Sequence, residues 1–195
     1  SAFIDIGLER AAFLHVADIW EERHGTEPER PIEQILHEGQ SLMVQVIKDP
    51  IGSKGARLST QISFAGRYLV YLPQESHIGI SQKIEGEEER EQLRQKLHQL
   101  MPENTTGGFI VRTMAETAED AEMQADIDYL RRLWGSIQSR VNSAVPCLLY
   151  QDLDLSLRVL RDFVSRDTTR ILIDSRETYQ RMAEFAQNYT SAVLE

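Results

Sequence analysis

Along residues 107–117, GGFIVRTMAET, a glycine pair leads into the apolar run Phe109-Ile110-Val111, and Arg112 and Thr113 follow without a break. Arginine presents a planar fork of N–H donors that matches a phosphate, and a threonine hydroxyl beside it adds a further donor. Backbone amides of a neighbouring loop can complete such an anion pocket. The same dipeptide also fits an ordinary strand exit, with Arg112 paired to Glu116 or Glu119, and spacing alone does not separate the two readings.

Two phenylalanines offer a different chemistry. Phe3 and Phe13 bracket a strand-turn-strand unit, and on an exposed sheet face such rings stack on unpaired bases. Ile4, Ile6 and Leu14 beside them equally supply a core in which either ring is buried. Lys54, at the tip of a Gly-rich hairpin, either reaches a phosphate or is simply solvated. The carboxylate pairs Asp126/Asp128 and Asp152/Asp154 have i,i+2 spacing, share no helical face, and read as a solvated face and a helix start. There is no Ser-His-Asp arrangement, phosphate-binding loop, dinucleotide fingerprint or CxxC pair. Cys147 is the one cysteine, and the histidines at 15, 24, 37, 77 and 98 are scattered. No catalytic and no metal-ligating residue is assigned.

The elements that must position these residues follow from periodicity. SAFIDIG alternates from its first residue with no cap before it, which predicts a chain cut from something longer, its first strands missing. Strands are expected over 11–19, 41–49 and 56–64, with a short helix over 31–39 opened by Pro31 and closed by Gly39. Short strands, one small helix and a Gly-rich hairpin suggest a compact β-barrel of the OB type. From Arg67 onward, RYLVYLP and IGISQKI read as strands, and residues 85–101 as a charged helix with Leu93, Leu97 and Leu100 on one stripe. The run 107–113 reads as a further strand. Thr117 and Asp120 resemble a capping box that opens a helix to about residue 144. The last quarter alternates again, with strands at 146–150 and 170–175 and helices at 153–166 and 176–189, an α/β fragment. The fold class is therefore α+β.

The chain has 195 residues, 41% hydrophobic and 27% charged, the balance of a globular protein with a real core. No run is long enough to span a bilayer and no signal-peptide pattern is present, so a cytoplasmic location is expected, without membrane contact. A formal net charge of −10 argues against a surface coated in phosphate contacts, so any nucleic-acid binding must be local. Within residues 48–73, Lys48, Lys54, Arg57 and Arg67 face Asp49 alone, an excess of three positive charges.

Taken in order, AFIDIGLERAAFLHVADI, LHEGQSLMVQVIKDPIGSKGARLSTQISFAGRYLVYLP, GISQKIEG and GGFIVRT resemble the bacterial ribonuclease E/G family across essentially the whole chain. VQVIKDPIGSKGARLST and SRETYQRMAEF place the likeness nearer the shorter, ribonuclease G branch. The resemblance implies a single-strand endoribonuclease that acts in ribosomal RNA processing and messenger RNA decay and prefers a 5′-monophosphate. It implies a truncated OB-type RNA-binding domain at 1–66, an α+β 5′-sensor domain at 67–145, and a partial α/β ribonuclease-H-like subdomain at 146–195. Carried across, the sensor's phosphate-binding residues fall on Arg112 and Thr113, with its supporting loop from Gly66 to Val70. The RNA-contacting positions fall on Phe3, Phe13 and Lys54. Family catalysis uses aspartates that hold Mg²⁺ in a downstream domain, and a cysteine pair builds the family's zinc-linked dimer contact. Neither is in this sequence. The expectation is thus a piece of a homo-oligomeric enzyme that binds single-stranded RNA, carries no cofactor of its own and does not cut alone. The competing expectation is an acidic scaffold that docks proteins and ignores nucleic acid.

Overall fold

The structure, a computed structural model, describes residues 1–20, 30–102, 105–165 and 167–189. His24, and Arg166 at the end of the helix expected over 153–166, lie outside the described residues.

Alternation in the first stretch produces β1 (Ala2–Ile4) and β2 (Ala12–Leu14), paired antiparallel with Phe3 opposite Phe13. β3 (Gln45–Lys48) and β4 (Arg57–Ser59) extend them into an open sheet of order β1-β2-β4-β3, in which β2 and β4 run parallel. Side chains alternate across a strand, so burial of Ala12, Leu14 and Leu58 in one core turns Phe13 and Arg57 to the opposite face. The strand expected over 11–19 stops at Leu14. His15 accepts the Ala17 N–H at 3.2 Å and opens a 3-10 turn, Val16–Asp18. The expected helix over 31–39 shortens to α1 (Ile32–Ile35), and the chain turns at Gly39 with φ 80°.

A second open sheet has the order β5-β6-β8-β7, from β5 (Phe64–Ala65), β6 (Leu69–Leu72), β7 (Ile78–Ile80) and β8 (Gly108–Val111). Leu69 lies opposite Val111 and Leu72 opposite Gly108. Gly107, at φ 95°, passes so close to Tyr71 that a Cβ there would sit 2.5 Å from the ring, so no larger residue fits. α2 (Glu87–Leu100) and α3 (Asp120–Gln138) pack on this sheet. Leu93 and Leu97 of α2, and Met123, Ile127, Leu130 and Ile137 of α3, form the apolar stripes that join its core. The capping box is built from Glu119 and Glu122, not Thr117 and Asp120, because Thr117 closes a 3-10 helix, Thr113–Thr117, before α3 begins. α3 ends at Gln138, short of residue 144, and gives way to turns.

α4 (Leu155–Phe163) is capped by Asp154, whose carboxylate accepts the Leu157 N–H at 3.0 Å, and it packs on α5 (Arg176–Tyr189). Leu160, Val164, Met182 and Ala186 form a small core between them. The runs 146–150 and 170–175, expected as strands, are unpaired. An apolar run becomes a strand only where another strand meets its amides. Here Leu149 and Tyr150 pack instead on the core of the second sheet, with the Tyr150 ring 5.7 Å from Phe64, and Ile173 joins the small core. The fold is mixed α+β, with two open sheets and five α-helices among the described residues.

One buried carboxylate ties these parts together. Asp126 of α3, 3% exposed, accepts the backbone N–H groups of Arg67 at 3.1 Å and of Tyr68 and Leu69 at 2.9 Å each. It closes the tight turn between β5 and β6. Sequence spacing places Asp126 on a solvated face with Asp128; the structure buries it instead, because the turn brings three donors to it from 57 to 59 residues away. The fit is close enough that a Cβ on Gly66 would meet both Asp126 oxygens at 2.4 Å. Buried N–H groups left without an acceptor cost about 1–3 kcal/mol each. Asp126→Ala is therefore expected to lower unfolding free energy by roughly 3–5 kcal/mol in a urea titration followed by circular dichroism.

Candidate functional site

Arg112 leaves β8 with its backbone N–H donated to the Tyr68 carbonyl at 2.8 Å, so its side chain starts from a fixed point at the end of the ladder. Its Nη1 donates to the Gly66 carbonyl and to Asp162 Oδ1, the latter at 3.2 Å. The side chain is 28% exposed. The Nε and Nη2 donors have no partner among the described residues, which leaves that edge of the fork unengaged. Thr113 begins the 3-10 helix, is half-buried, and its hydroxyl likewise has no partner among the described residues. The carboxylate that pairs with Arg112 is not Glu116 or Glu119 but Asp162, 50 residues away.

Asp162 is shared. Arg161, itself 6% exposed, grips it through Nε at 3.0 Å and Nη2 at 2.8 Å, and sends Nη1 to the Ala65 carbonyl at 2.8 Å. Arg67 reaches across to the Val164 carbonyl and lies over the Tyr68 ring, 5.3 Å from its centroid. α4 is thus clamped to the Gly66 turn from both sides. Around it, Arg67, Arg112 and Arg161 face Asp126 and Asp162, with Glu122 bonded to the Tyr68 hydroxyl, so three positive charges meet three negative ones. Burial pushes the Asp162 carboxyl upward, but the hydrogen bond and charge of Arg161, then those of Arg112, outweigh it and hold the group below the usual carboxylate range.

The loop residues Gly66 and Val70 sit as follows. The Gly66 N–H is donated to the Leu69 carbonyl at 2.8 Å, and the next three amides go to Asp126. Val70 lies inside β6, opposite Ala65 on one side and Ile110 on the other. The turn's amides from 66 to 69 are therefore engaged within the protein. The donors left unengaged are on Arg112 and Thr113, while Gly66 contributes its carbonyl as an anchor for the arginine.

On the first sheet, Phe3 is 77% exposed and its ring lies 6.2 Å from that of Phe13, edge to face. His15, two residues on, is 6.2 Å from Phe13 and tilted by 36°. The register continues the row, since Phe13 lies opposite Arg57 and Arg57 opposite Lys48. Aromatic and basic residues thus share one face across all four strands. Arg57 is held there by Asp18, which accepts its Nε at 3.0 Å and its Nη2 at 2.9 Å. Lys54 is exposed in the loop joining β3 to β4, where its N–H meets the Ile51 carbonyl at 3.0 Å. Period-2 alternation from Phe13 points to His15; cross-strand register, which no sequence pattern states, brings in Arg57 and Lys48. Asp126, Arg161 and Asp162 are likewise visible only once the chain is folded.

Among the described residues no group of three or more His, Cys, Asp or Glu side chains is placed to hold a metal ion. Asp126 and Asp162 are committed to amides and guanidinium groups. No described helix is long and apolar enough to cross a membrane.

The sequence profile of the ribonuclease E/G family matches residues 63–195. The chain is similar to ribonuclease G of Escherichia coli, at 45% identity over 97% of this chain and 40% of that protein. It is similar to ribonuclease G of Haemophilus influenzae at 40% identity over the same shares. Ribonuclease E of a Nostoc species is 35% identical over 97% of this chain and 28% of its own length. The chain spans two fifths of the length of the ribonuclease G relatives.

The Asp162 pairing has a sign that pH can read. Its folded pKa lies below the unfolded value of about 3.9, so its stabilisation is complete above that value and is lost as pH falls through the folded one. Melting temperatures of wild type and Asp162→Asn, taken from neutral pH downward, should differ most at neutral pH and converge below about pH 4.

Proposed function

The chain belongs to the ribonuclease E/G family, and from that premise we propose that it is the RNA-binding, 5′-monophosphate-reading portion of a single-strand-specific endoribonuclease, at work in the cytoplasm on ribosomal and messenger RNA. In this reading residues 1–66 form the OB-type RNA-binding domain, 67–145 the 5′-sensor and 146–195 part of a ribonuclease-H-like subdomain. Cleavage, its Mg²⁺ and the assembly into a homo-oligomer are assigned to the whole enzyme.

The observation that carries the reading is the Arg112 guanidinium. One nitrogen is fixed by the Gly66 carbonyl and Asp162, the other two are unengaged, and the next residue, Thr113, carries an unengaged hydroxyl. A terminal phosphate takes two parallel N–H bonds from those two nitrogens and a third from Thr113. Fixing one side of the fork in advance lowers the entropy lost when the other side binds. A triphosphate crowds a site whose donors span one phosphate. The aromatic and basic row of the first sheet then holds the following nucleotides, with bases on Phe3, Phe13 and His15 and phosphates on Lys54, Arg57 and Lys48.

The Arg112–Asp162 ion pair favours a second reading, in which Arg112 is purely structural and the chain an acidic scaffold. Fluorescence anisotropy with oligoribonucleotides bearing either a 5′-monophosphate or a 5′-hydroxyl separates the two. The wild-type chain is expected to prefer the monophosphate by about tenfold or more, and Arg112→Ala and Thr113→Val to erode that preference, since losing one partner of a charge-assisted contact costs about 2–5 kcal/mol. Phe3→Ala, at a largely exposed ring, should weaken both oligomers alike and change the melting temperature little. Equal binding of the two 5′ ends by wild type would reject the end-reading role.

A further inference from the structure

At the end of the β6–β8 ladder away from Arg112, a cleft of about 400 Å³ opens between the sheet and the second half of α3. Its walls include Tyr71, Thr106, Arg131, Arg132, Trp134 and Gln138. Neither Arg131 nor Arg132 has a hydrogen-bond or ion-pair partner among the described residues. The acid in the cleft, Asp128, accepts from Gln124 at 3.3 Å. Two guanidinium groups facing one carboxylate leave the cleft electropositive on a chain of net charge −10. Trp134 lies 5.8 Å from Phe64 in the core, yet is only half-buried and also lines the cleft.

Gly135 points the same way. It sits inside α3 and lines the cleft, one turn from Arg131 and Arg132. Glycine in a helix interior is destabilising, and packing does not require it here, because a Cβ at this position would meet nothing within 4 Å. Its one consequence is a bare patch of helix surface between two free arginines and a tryptophan.

We infer that this cleft is a second RNA subsite, which takes an internal nucleotide of a single strand: backbone phosphate on Arg131 and Arg132, base against Trp134. The inference rests on the reading of the chain as an RNA binder and adds a contact that is blind to the 5′ end. Asp126, which holds the Arg112 turn, and residues 131–135 lie on one helix about 8–14 Å apart along its axis. The turn that holds Arg112 and the wall of the cleft are therefore carried by one rigid helix. Arginine pairs with aromatic walls are the means by which single strands are held without regard to sequence.

The test uses the whole chain in a Trp20→Phe background, where Trp134 is the single tryptophan. The probe is a 5′-hydroxyl oligoadenylate of about ten nucleotides, which engages no end reader. Binding should quench Trp134, and the Arg131→Gln/Arg132→Gln variant should lose about tenfold in affinity and reduce the salt slope by about 1.4, the value for two phosphates on a single strand. Gly135→Leu supplies an independent arm: it should melt at or above the wild-type temperature while binding more weakly, a pairing of effects that loss of fold cannot produce. Adenosine monophosphate should quench far less than the oligomer; equal quenching would make the cleft a free-nucleotide site and overturn the inference. Wild-type affinity and slope in both variants, with Phe3→Ala still weakening binding, would remove the subsite and leave the RNA reading standing. No binding by wild type at low salt would remove both.

Discussion

The Asp126 carboxylate is the constraint on which the rest of the described structure depends. It gathers three consecutive amides of the β5–β6 turn from inside a helix that begins some fifty residues later. Without it those donors would face a core with no acceptor, since a turn this tight cannot satisfy them itself. With it, the Gly66 carbonyl points at Arg112, the Ala65 carbonyl at Arg161, and the Tyr68 carbonyl at the Arg112 amide. The requirement for glycine at 66 follows from the same contact, because any side chain would occupy the place of the carboxylate oxygens. One buried charge thus fixes a turn, the turn fixes two arginines, and the arginines fix α4 against the second sheet.

Local positive charge on an acidic protein becomes intelligible in these terms. The basic side chains that matter are held in place by acids that fix one side of each guanidinium. Asp18 straps Arg57 beside Phe13, and Asp162 is bracketed between Arg161 and Arg112. A half-buried, shared carboxylate lets two guanidinium groups approach one another without repelling the helix from the sheet. The remaining acids, such as Glu87, Glu88 and Glu89 in the first turn of α2, serve helix termini and solvation. Net charge therefore describes solubility more than it describes what this surface recognises.

How much was legible in advance depended on range. β1, β8, α2 and α5 follow from local alternation or helical spacing, and the structure keeps them with small shifts at their ends. The hairpin position of Lys54 and the adjacency of Arg112 and Thr113 are also local facts, whereas the exposure of Phe3 is settled only by the fold. Asp126 was opaque because i,i+2 spacing to Asp128 says only that the two do not share a helical face; which of them is buried is decided by a turn far away in sequence. Residues 146–150 and 170–175 carry the apolar, β-branched character of strands, but pairing is a property of two segments, and these pack against helices and cores instead. The row from Phe3 to Lys48 depends on register, including a parallel pairing of β2 with β4 that periodicity cannot specify.

The proposed end reader has a competitor built into it. Asp162 already holds one nitrogen of Arg112, so an incoming phosphate meets a guanidinium whose charge is partly spoken for. The same carboxylate is gripped twice by Arg161, and that second partner keeps Asp162 from following the phosphate or blocking the open edge. The arrangement makes Arg112 directional: Nη1 is engaged within the protein, while Nε and Nη2 are left for the proposed ligand. Were Asp162 absent, the fork would be free to rotate and would bind any anion from several sides. With Asp162 present, an anion gains both bonds only if it approaches along the unengaged edge, and a terminal phosphate, with three oxygens free to turn, meets that demand better than a phosphodiester constrained on two sides.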